Sequence, residues 1–223
     1  MPQFTLSLAE VQGPEQVVPA LKILLMFTIL SIAPAILISM TAFTRIVIVL
    51  SFLRQALGTQ SVPPMQLIMA LSLLLTGVVM APVAERLDVE ALSPYTQKEL
   101  NERQAFERAA NVAREFLVPQ TREADLRLFY ELNHKPLPKT QAEVGLQLLV
   151  PAFMISELRT AFEMGFLIFL PFVLIDLVVA SILTAMGMVM LPPTMLATPL
   201  KLLLFVVVDG WSLLSRSLVA SFG

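Results

Sequence analysis

The chain has 223 residues, of which 57% are hydrophobic and 14% are charged, and its mean hydropathy is +0.79. A soluble domain carries about 25% charged residues, so this composition indicates a membrane protein. The formal net charge of -2 argues against a nucleic-acid-binding protein, which needs a basic face, and the absence of cysteine excludes disulfides, thiolate metal sites and thiol nucleophiles.

The N-terminal part divides into a polar segment, residues 1–19, and a first apolar helical hairpin region, residues 20–84. The polar segment lacks the pattern of a standard signal peptide, so either a signal has been removed or the first apolar run is its own anchor. That run, from Leu21 to about Leu53, is too long for one span of about 20 residues and too short for two. We expect a bent helix or a partial hairpin, kinked at Pro34. The run from Met65 to Val83 has span length and no charge.

The composition changes sharply in residues 85–144. From Glu85 to Glu143 the chain has eleven acidic and nine basic residues, which are 20 of its 32 charged side chains. This predicts a small soluble module of two amphipathic helices, the first capped at Ser93 and the second at Thr121. Because so small a module has little core of its own, we expect it to pack on a neighbour.

The distribution of positive charge predicts the orientation. Arg45 and Arg54 lie near the first turn, whereas the module is net acidic. Positive residues favour the cytoplasmic side of a membrane, so the module is expected outside the cytoplasm.

Residues 145–223 form a second apolar hairpin region, interrupted by a loop rich in methionine and proline. The loop contains four of the chain's twelve methionines, one glycine and two adjacent prolines. Gly and Pro prevent a plain helix, and such backbone is tolerated at membrane depth only where protein or a cavity surrounds it. The predicted fold class is therefore all-α, with kinked apolar hairpins in a membrane complex. The residues that define this gate loop are Met186, Gly187, Met188, Val189, Met190, Pro192, Pro193 and Met195.

Charged residues inside the apolar runs form a second informative set. Each costs about 2.5–3.5 kcal/mol at membrane depth unless it faces protein or water, so each should have a partner. We expect Arg45 and Arg54 to pair with Glu157 and Glu163, and a second set to join Asp176, Lys201 and Asp209. Ion pairs that fix the assembly are favoured over a proton relay. The candidate residues for assembly or gating are Arg45, Arg54, Glu157, Arg159, Glu163, Asp176, Lys201 and Asp209.

Long ordered motifs occupy residues 44–58, 151–166 and 171–177, and shorter ones occupy residues 199–202 and 208–211. Together they closely resemble the FliP family of flagellar type III export gates, which is related to the SctR family of injectisomes. The resemblance implies a pore-forming subunit in the bacterial inner membrane, at the flagellar basal body, that passes unfolded flagellar proteins. It also implies a homopentamer that contacts lipid, FliQ and FliR family subunits and an FlhB family protein, with no cofactor and no enzymatic activity.

The resemblance further implies that a methionine gasket closes the pore. The gasket maps onto Met188, Val189 and Met190, with Met186 beside them. Relatives often have three consecutive methionines, so Val189 is a departure that keeps the collar apolar. A ring of such side chains would exclude ions and water by dewetting.

Other interpretations of these residues remain open at this point. The methionines could pack against lipid or helices, or could bind Cu(I) through their alternate spacing. A small-solute or metal-ion permease that uses Glu157 or Asp176 as its ligand site is the alternative function, and a non-conducting scaffold is a third. The sequence shows no metal-ligand cluster, phosphate-binding glycine loop or nucleophile–base signature, and His134 lies in a polar turn.

Overall fold

The computed structural model describes residues 14–59, 62–138, 140–188 and 190–223. Within these ranges the chain is helical and has no β-strand, which confirms the predicted all-α fold. The α-helices are α1 (Pro14–Ser39), α2 (Phe43–Ala56), α3 (Met65–Leu87), α4 (Ser93–Thr96), α5 (Glu102–Gln120), α6 (Glu123–Leu132), α7 (Leu146–Ala185), α8 (Thr194–Val207) and α9 (Gly210–Ala220). A π-helical segment, Asp88–Leu92, joins α3 to α4, and a 3-10 turn, Gln141–Glu143, precedes α7.

The chain divides into two units, residues 1–38 and residues 39–223. In the first unit the structure describes helix α1, whose side chains between residues 21 and 36, where described, are exposed. The helix continues through Pro34 and ends at Ser39. Pro34 therefore does not end the helix, and the kink at this residue stays a prediction; α2 begins at Phe43. The predicted polar segment, residues 1–19, falls mostly outside the described residues.

Two helical stretches in the described chain are long and apolar enough to cross a membrane. One runs from Met65 to Thr96 without a break at residue 85, and the other is the 40-residue helix α7, which contains Pro151 and Pro171. Helices α8 and α9 meet at a bend of 65° and together could form a third span. These helices agree with the predicted membrane protein.

Helix α2 lies within the main apolar cluster of the second unit. Ile46, Val49, Leu50 and Leu53 are almost fully buried there, against side chains of α3, α7, α8 and α9. Arg45 contacts Glu157, and the Phe52 ring meets the Phe162 ring edge-on at 5.3 Å, so α2 and α7 run parallel. The short helix thus organises the longer helices around it.

The helix caps of the soluble module differ from the prediction. Ser93 does not cap a helix, because the residues before it are already helical and continue from α3. The N–H groups inside a helix are already hydrogen-bonded and need no cap. Helix α5 begins instead at a capping box. The Asn101 side chain accepts a hydrogen bond from the Gln104 backbone N–H at 2.9 Å, and the Gln104 side chain accepts one from the Asn101 backbone N–H. The Thr121 hydroxyl donates to the Leu117 carbonyl at 2.7 Å and does not cap α6.

The module packs on helix α7 of the same chain. Leu117 of α5 and Val144 form a buried cluster with Leu149 and Phe153 of α7. The Ser156 hydroxyl of α7 completes the contact with α6, as described below. The neighbour that this small module needs is therefore the first half of α7.

Candidate gate loop and buried ion pairs

The methionine-rich loop begins where α7 ends in a Schellman motif. Gly187 has φ +76, a left-handed conformation that glycine adopts without strain. Its N–H donates to the Thr184 carbonyl at 3.0 Å, and the Met188 N–H donates to the Leu183 carbonyl at 2.9 Å. The glycine therefore turns the chain sharply out of α7 and satisfies the last carbonyls of that helix.

The two prolines of the loop start helix α8. The Pro192 carbonyl accepts from the Met195 N–H at 3.1 Å, and the Pro193 carbonyl accepts from the Ala197 N–H at 2.9 Å. Since proline has no N–H and a fixed φ, it suits the start of a helix and cannot extend the preceding one. The loop is thus a short non-helical connection between two apolar helices.

The methionine side chains of this loop point away from the core of their own chain. The exposed fraction is 63% for Met186, 39% for Met188, 97% for Met190 and 67% for Met195. Val189, the remaining predicted gasket residue, lies outside the described residues. Four exposed apolar side chains in one loop indicate a surface that contacts lipid or another protein chain.

Arg45 and Glu157 form a buried ion pair between α2 and α7, as the sequence predicted. Their side chains are 3% and 0% exposed. The Arg45 Nε donates to one carboxylate oxygen at 2.9 Å, and Nη2 donates to the other. Nη1 donates to the Ser221 carbonyl at 2.8 Å and hydroxyl at 3.0 Å, and Nη2 also reaches Gln120 Oε1 at 3.1 Å. All five guanidinium donors therefore have acceptors, as a buried arginine requires.

The same arginine holds the last residues of the chain. The Phe222 ring lies under the guanidinium, with 3.8 Å from the Arg45 Cζ to the ring centroid. That ring also stacks on Phe116 of α5 at 6.3 Å, and the Phe222 carbonyl accepts from Gln120 Nε2 at 3.1 Å. The contacts around Arg45 thus join α2, α5, α7 and the residues after α9. This arginine therefore has a structural role.

The second ion pair connects α7 and α8. Lys201 Nζ lies 2.6 Å from Asp176 Oδ2, and the Lys201 side chain is 6% exposed. Asp176 Oδ1 is buried and has no hydrogen-bond partner within the described residues. Asp209, which was expected to join Asp176 and Lys201, does not contact this pair. It is exposed and lies at the bend between α8 and α9. Asp176 lies ten residues before Met186 and Lys201 lies six residues after Met195, so this pair joins the two helices that flank the gate loop.

Arg159 and Glu163 pair with the soluble module. Glu163 contacts Arg122 at 2.6 Å and Arg159 contacts Asp125 at 3.4 Å, so the predicted pairing of Glu163 with Arg45 or Arg54 is wrong. The partners come instead from the start of α6, which lies against this turn of α7. The Glu163 carboxylate raises the pKa of the Arg122 guanidinium.

A buried polar contact supports this docking of α6. The Ser156 hydroxyl donates to Asp125 Oδ2 at 2.8 Å and accepts from the Arg122 N–H at 3.0 Å. Both Ser156 and Asp125 are buried. No sequence signal singled out these two residues, because a serine in an apolar tract and an aspartate in an amphipathic helix are each unremarkable without the fold. Gln120, Ser221 and Phe222 were missed for the same reason.

Comparison with known proteins identifies the family. A model of the FliP family matches residues 26–218, which include the gate loop and the eight candidate charged residues listed above. The chain belongs to the FliP family. This confirms the resemblance seen in the sequence motifs.

Several relatives match nearly the whole FliP-family chain. It is 49% identical over 209 residues to the flagellar biosynthetic protein FliP of Bacillus subtilis (strain 168), which covers 94% of this chain and 95% of that one. It is 45% identical over 212 residues to FliP of Aquifex aeolicus (strain VF5), with 94% and 89% covered. It is 51% identical over 199 residues to FliP of Pectobacterium carotovorum subsp. carotovorum, with 89% and 77% covered. The FliP-family chain is therefore a flagellar biosynthesis and export component with apolar membrane helices, and not an enzyme.

Proposed function

We propose that this FliP-family chain is a pore-forming subunit of the flagellar type III export gate. In this proposal it passes unfolded flagellar proteins across the bacterial inner membrane, through a channel that methionines seal. It assembles as a homopentamer with FliQ and FliR family subunits, and an FlhB family protein contacts the base of the assembly.

The observation that carries the proposal is the exposure of the gate-loop methionines. Met190 is 97% exposed, and Met186, Met188 and Met195 are also uncovered by their own chain. The loop lies between two apolar helices, so copies arranged around one axis would bring several thioethers together. Such a constriction excludes ions by dewetting, and it yields to a passing chain because methionine is flexible and unbranched.

The ion pairs of α7 support an architectural role for the charged residues. Both Glu157 oxygens accept from Arg45, so that carboxylate is already occupied by protein. Within the described residues no group of three or more histidines or acidic side chains could hold a metal ion. The pairing of Glu157 with Arg45 therefore supports the export gate over a permease that uses Glu157 as its ligand site.

The proposed orientation puts residues 85–144 in the periplasm. Arg45 is buried and bonded to Gln120 of the module, so it does not act as a loop charge at the opposite surface. The positive-inside argument therefore depends on Arg54, near the end of α2 that points away from the module.

The experiment is an ion-leak measurement on cells that express the complete export gate. Replacing Met188 and Met190 together by Ala should increase leakage of ions and small molecules, because the seal loses its bulk. Met69 of α3 provides a matched control, since it is 39% exposed, as Met188 is, and lies outside the loop. Its change to Ala should leave leakage at the wild-type level.

Two other results would contradict the proposal. Saturable uptake of one solute, abolished by neutralising Glu157 or Asp176, would indicate a permease. Unchanged leakage in the double methionine variant, with export intact, would indicate a scaffold whose loop does not seal the pore.

A further inference from the structure

Arg216 is an exposed cation inside the last apolar run of the chain, on helix α9. Its side chain forms no ion pair with any residue that the structure describes. Arg45 and Lys201, which also lie in apolar helices, are buried and paired within the chain. A charge in apolar surroundings is unfavourable unless another group pairs with it, so Arg216 needs an anion from outside its own chain.

Arg216 lies near the middle of the apolar layer that α3 defines. Trp211, at the start of α9, lines an apolar cavity with the first turns of α3. Helix α9 runs inward from there, because Ser221 after its end is hydrogen-bonded to Arg45, near the start of α2. At a rise of 1.5 Å per residue the uncharged run of α3, residues 65–84, is roughly 30 Å long, and Arg216 lies roughly 15 Å from its start.

The exposed side of α9 has the spacing of a helix-packing surface. Leu213, Arg216 and Ala220 follow one another at intervals of three and four residues, so they lie along one side of the helix. Asp209 precedes Leu213 by four residues, at the bend before α9. All four are exposed, Leu213 to 61%, and the residues that α9 buries lie on its other side. An apolar and a small residue beside two opposite charges suit contact with a second helix.

A lipid phosphate does not fit this position. The hydrocarbon core of a bilayer is about 30 Å thick, so the phosphates lie roughly 15 Å or more from its middle, which is further than an arginine side chain extends. The exposed carboxylate of Asp209, on the way to the nearer surface, would also repel a phosphate. A protein helix, in contrast, can carry an acidic side chain to this depth when a cation faces it. The anion that Arg216 needs is therefore a carboxylate of a protein.

A second copy of this chain does not supply that carboxylate. Glu157, Glu163 and Asp176, inside the apolar tracts, are paired within their own chain. Asp209 remains, but it lies seven residues from Arg216, roughly 10 Å along the helix axis. Copies in a closed ring around the membrane normal hold equivalent residues at one depth, so Asp209 of one copy does not meet Arg216 of the next.

We infer that this side of α9 docks an apolar helix of a different gate subunit, which presents an aspartate or glutamate to Arg216. Leu213 and Ala220 pack against that helix. Asp209 adds a second requirement, a basic residue about seven positions from the partner's carboxylate, since such positions lie on one side of a helix roughly 10 Å apart. This inference rests on the export gate of the proposed function and gives the chemistry of one helix that binds this chain.

Photocross-linking in the co-expressed gate tests the contact. A benzophenone amino acid replaces Leu213 of the full chain, which leaves Arg216 and Asp209 intact. The expected product joins this chain to one other polypeptide, at an apolar helical peptide with an acidic residue and a basic residue about seven positions away. Leu177 of α7 is the control, because it is 62% exposed but lies on another helix, and it should not give this product. A product with lipid alone, or with a second copy of this chain, would overturn the inference.

Changes at Arg216 then show whether charge holds the contact. Arg216→Gln should lower the cross-link yield at least about tenfold, as expected when one partner of a buried charge pair is lost, whereas Arg216→Lys should keep most of it. Arg216→Glu, combined with arginine in place of the partner's acidic residue, should restore the yield. Because Arg216 has no ion pair in its own chain, Arg216→Gln should leave the Tm of the isolated chain unchanged. A lower Tm, or a yield that did not depend on Arg216, would refute the inference.

The mass of the purified gate separates this inference from the proposed function. If the gate assembles with its partners but Leu213 gives no cross-link to another subunit, the α9 contact is refuted and the gate proposal survives. If the unmodified chain assembles with no partner subunit, the gate and the inferred contact fail together.

Discussion

Replacement of Glu157 by Gln should destabilise the protein by about 3–5 kcal/mol, because it leaves a buried arginine without its counter-charge. Gln has nearly the same volume as Glu, so the loss comes from charge and hydrogen bonding and not from packing. Arg45 is 3% exposed, and water therefore cannot replace the lost carboxylate. Two of the five guanidinium donors lose their ionised acceptor.

Thermal unfolding of the full chain in detergent measures this effect. For a protein of this size about 1 kcal/mol shifts the Tm by roughly 2–4 °C, so a decrease of roughly 6–20 °C is expected. Trp211 is the chain's single tryptophan and packs against Phe205 with ring centroids 5.2 Å apart, so its fluorescence can follow the transition.

Two further variants determine whether the reasoning is correct. Glu107→Gln removes an exposed partner of Arg103, a pair 62% and 89% exposed, and should change stability by less than about 1 kcal/mol. Arg45→Met combined with Glu157→Leu should recover much of the stability lost in the single variant, since an apolar pair carries no buried charge. If Glu157→Gln shifted the Tm no more than Glu107→Gln, the pair would not be a structural requirement.

Two other substitutions have defined expectations. Gly210→Ala should lower the free energy of unfolding in urea by about 1–3 kcal/mol, because a Cβ there would lie 2.2 Å from the Phe205 ring. In the control variant Gly77→Ala the new Cβ meets no atom within 4 Å, so this change should not destabilise the protein. Equal effects of the two changes would show that the Phe205 ring moves freely. Arg86 lowers the pKa of Glu115 below its ordinary 4.5, so this pair stabilises the fold above that pH and the contribution is lost as the pH falls through the folded-state pKa. The Tm difference between wild type and Glu115→Gln should therefore be present at neutral pH and vanish in acid; a difference that persisted in acid would contradict the assignment.

The membrane helices and one ion pair could be predicted from the sequence. A membrane helix depends on a local property, its apolar length, and the ion pair follows from the large free-energy cost of an unpaired charge at membrane depth. Uninterrupted apolar length defines a span, and the cost of a charge at membrane depth predicts that Arg45 and Glu157 have partners. The choice of partner could not be predicted in the same way. Glu163 lies less than two turns from Glu157, yet it pairs with Arg122, because α6 docks against that turn of α7.

The helix caps show a similar limit. Ser93-Pro94 has the composition of a helix start, but the helix that arrives from α3 passes through the π segment Asp88–Leu92 and continues into Ser93 as α4. Residue preferences describe how a helix can begin, and they do not reveal that the preceding helix has not ended. The Asp125–Ser156 contact likewise depends on two elements 31 residues apart and leaves no pattern in either one.

Pro171 gives helix α7 a place at which it can bend. Proline has no N–H, so the carbonyl four residues earlier, at Leu167, receives no helical hydrogen bond. The half before this point is held to α2 by Glu157 and to the soluble module by Ser156 and Glu163. The half after it carries Asp176 and ends at the methionines. A bend of α7 at Pro171 would therefore shift the methionine loop while leaving the contacts of the first half of this helix intact.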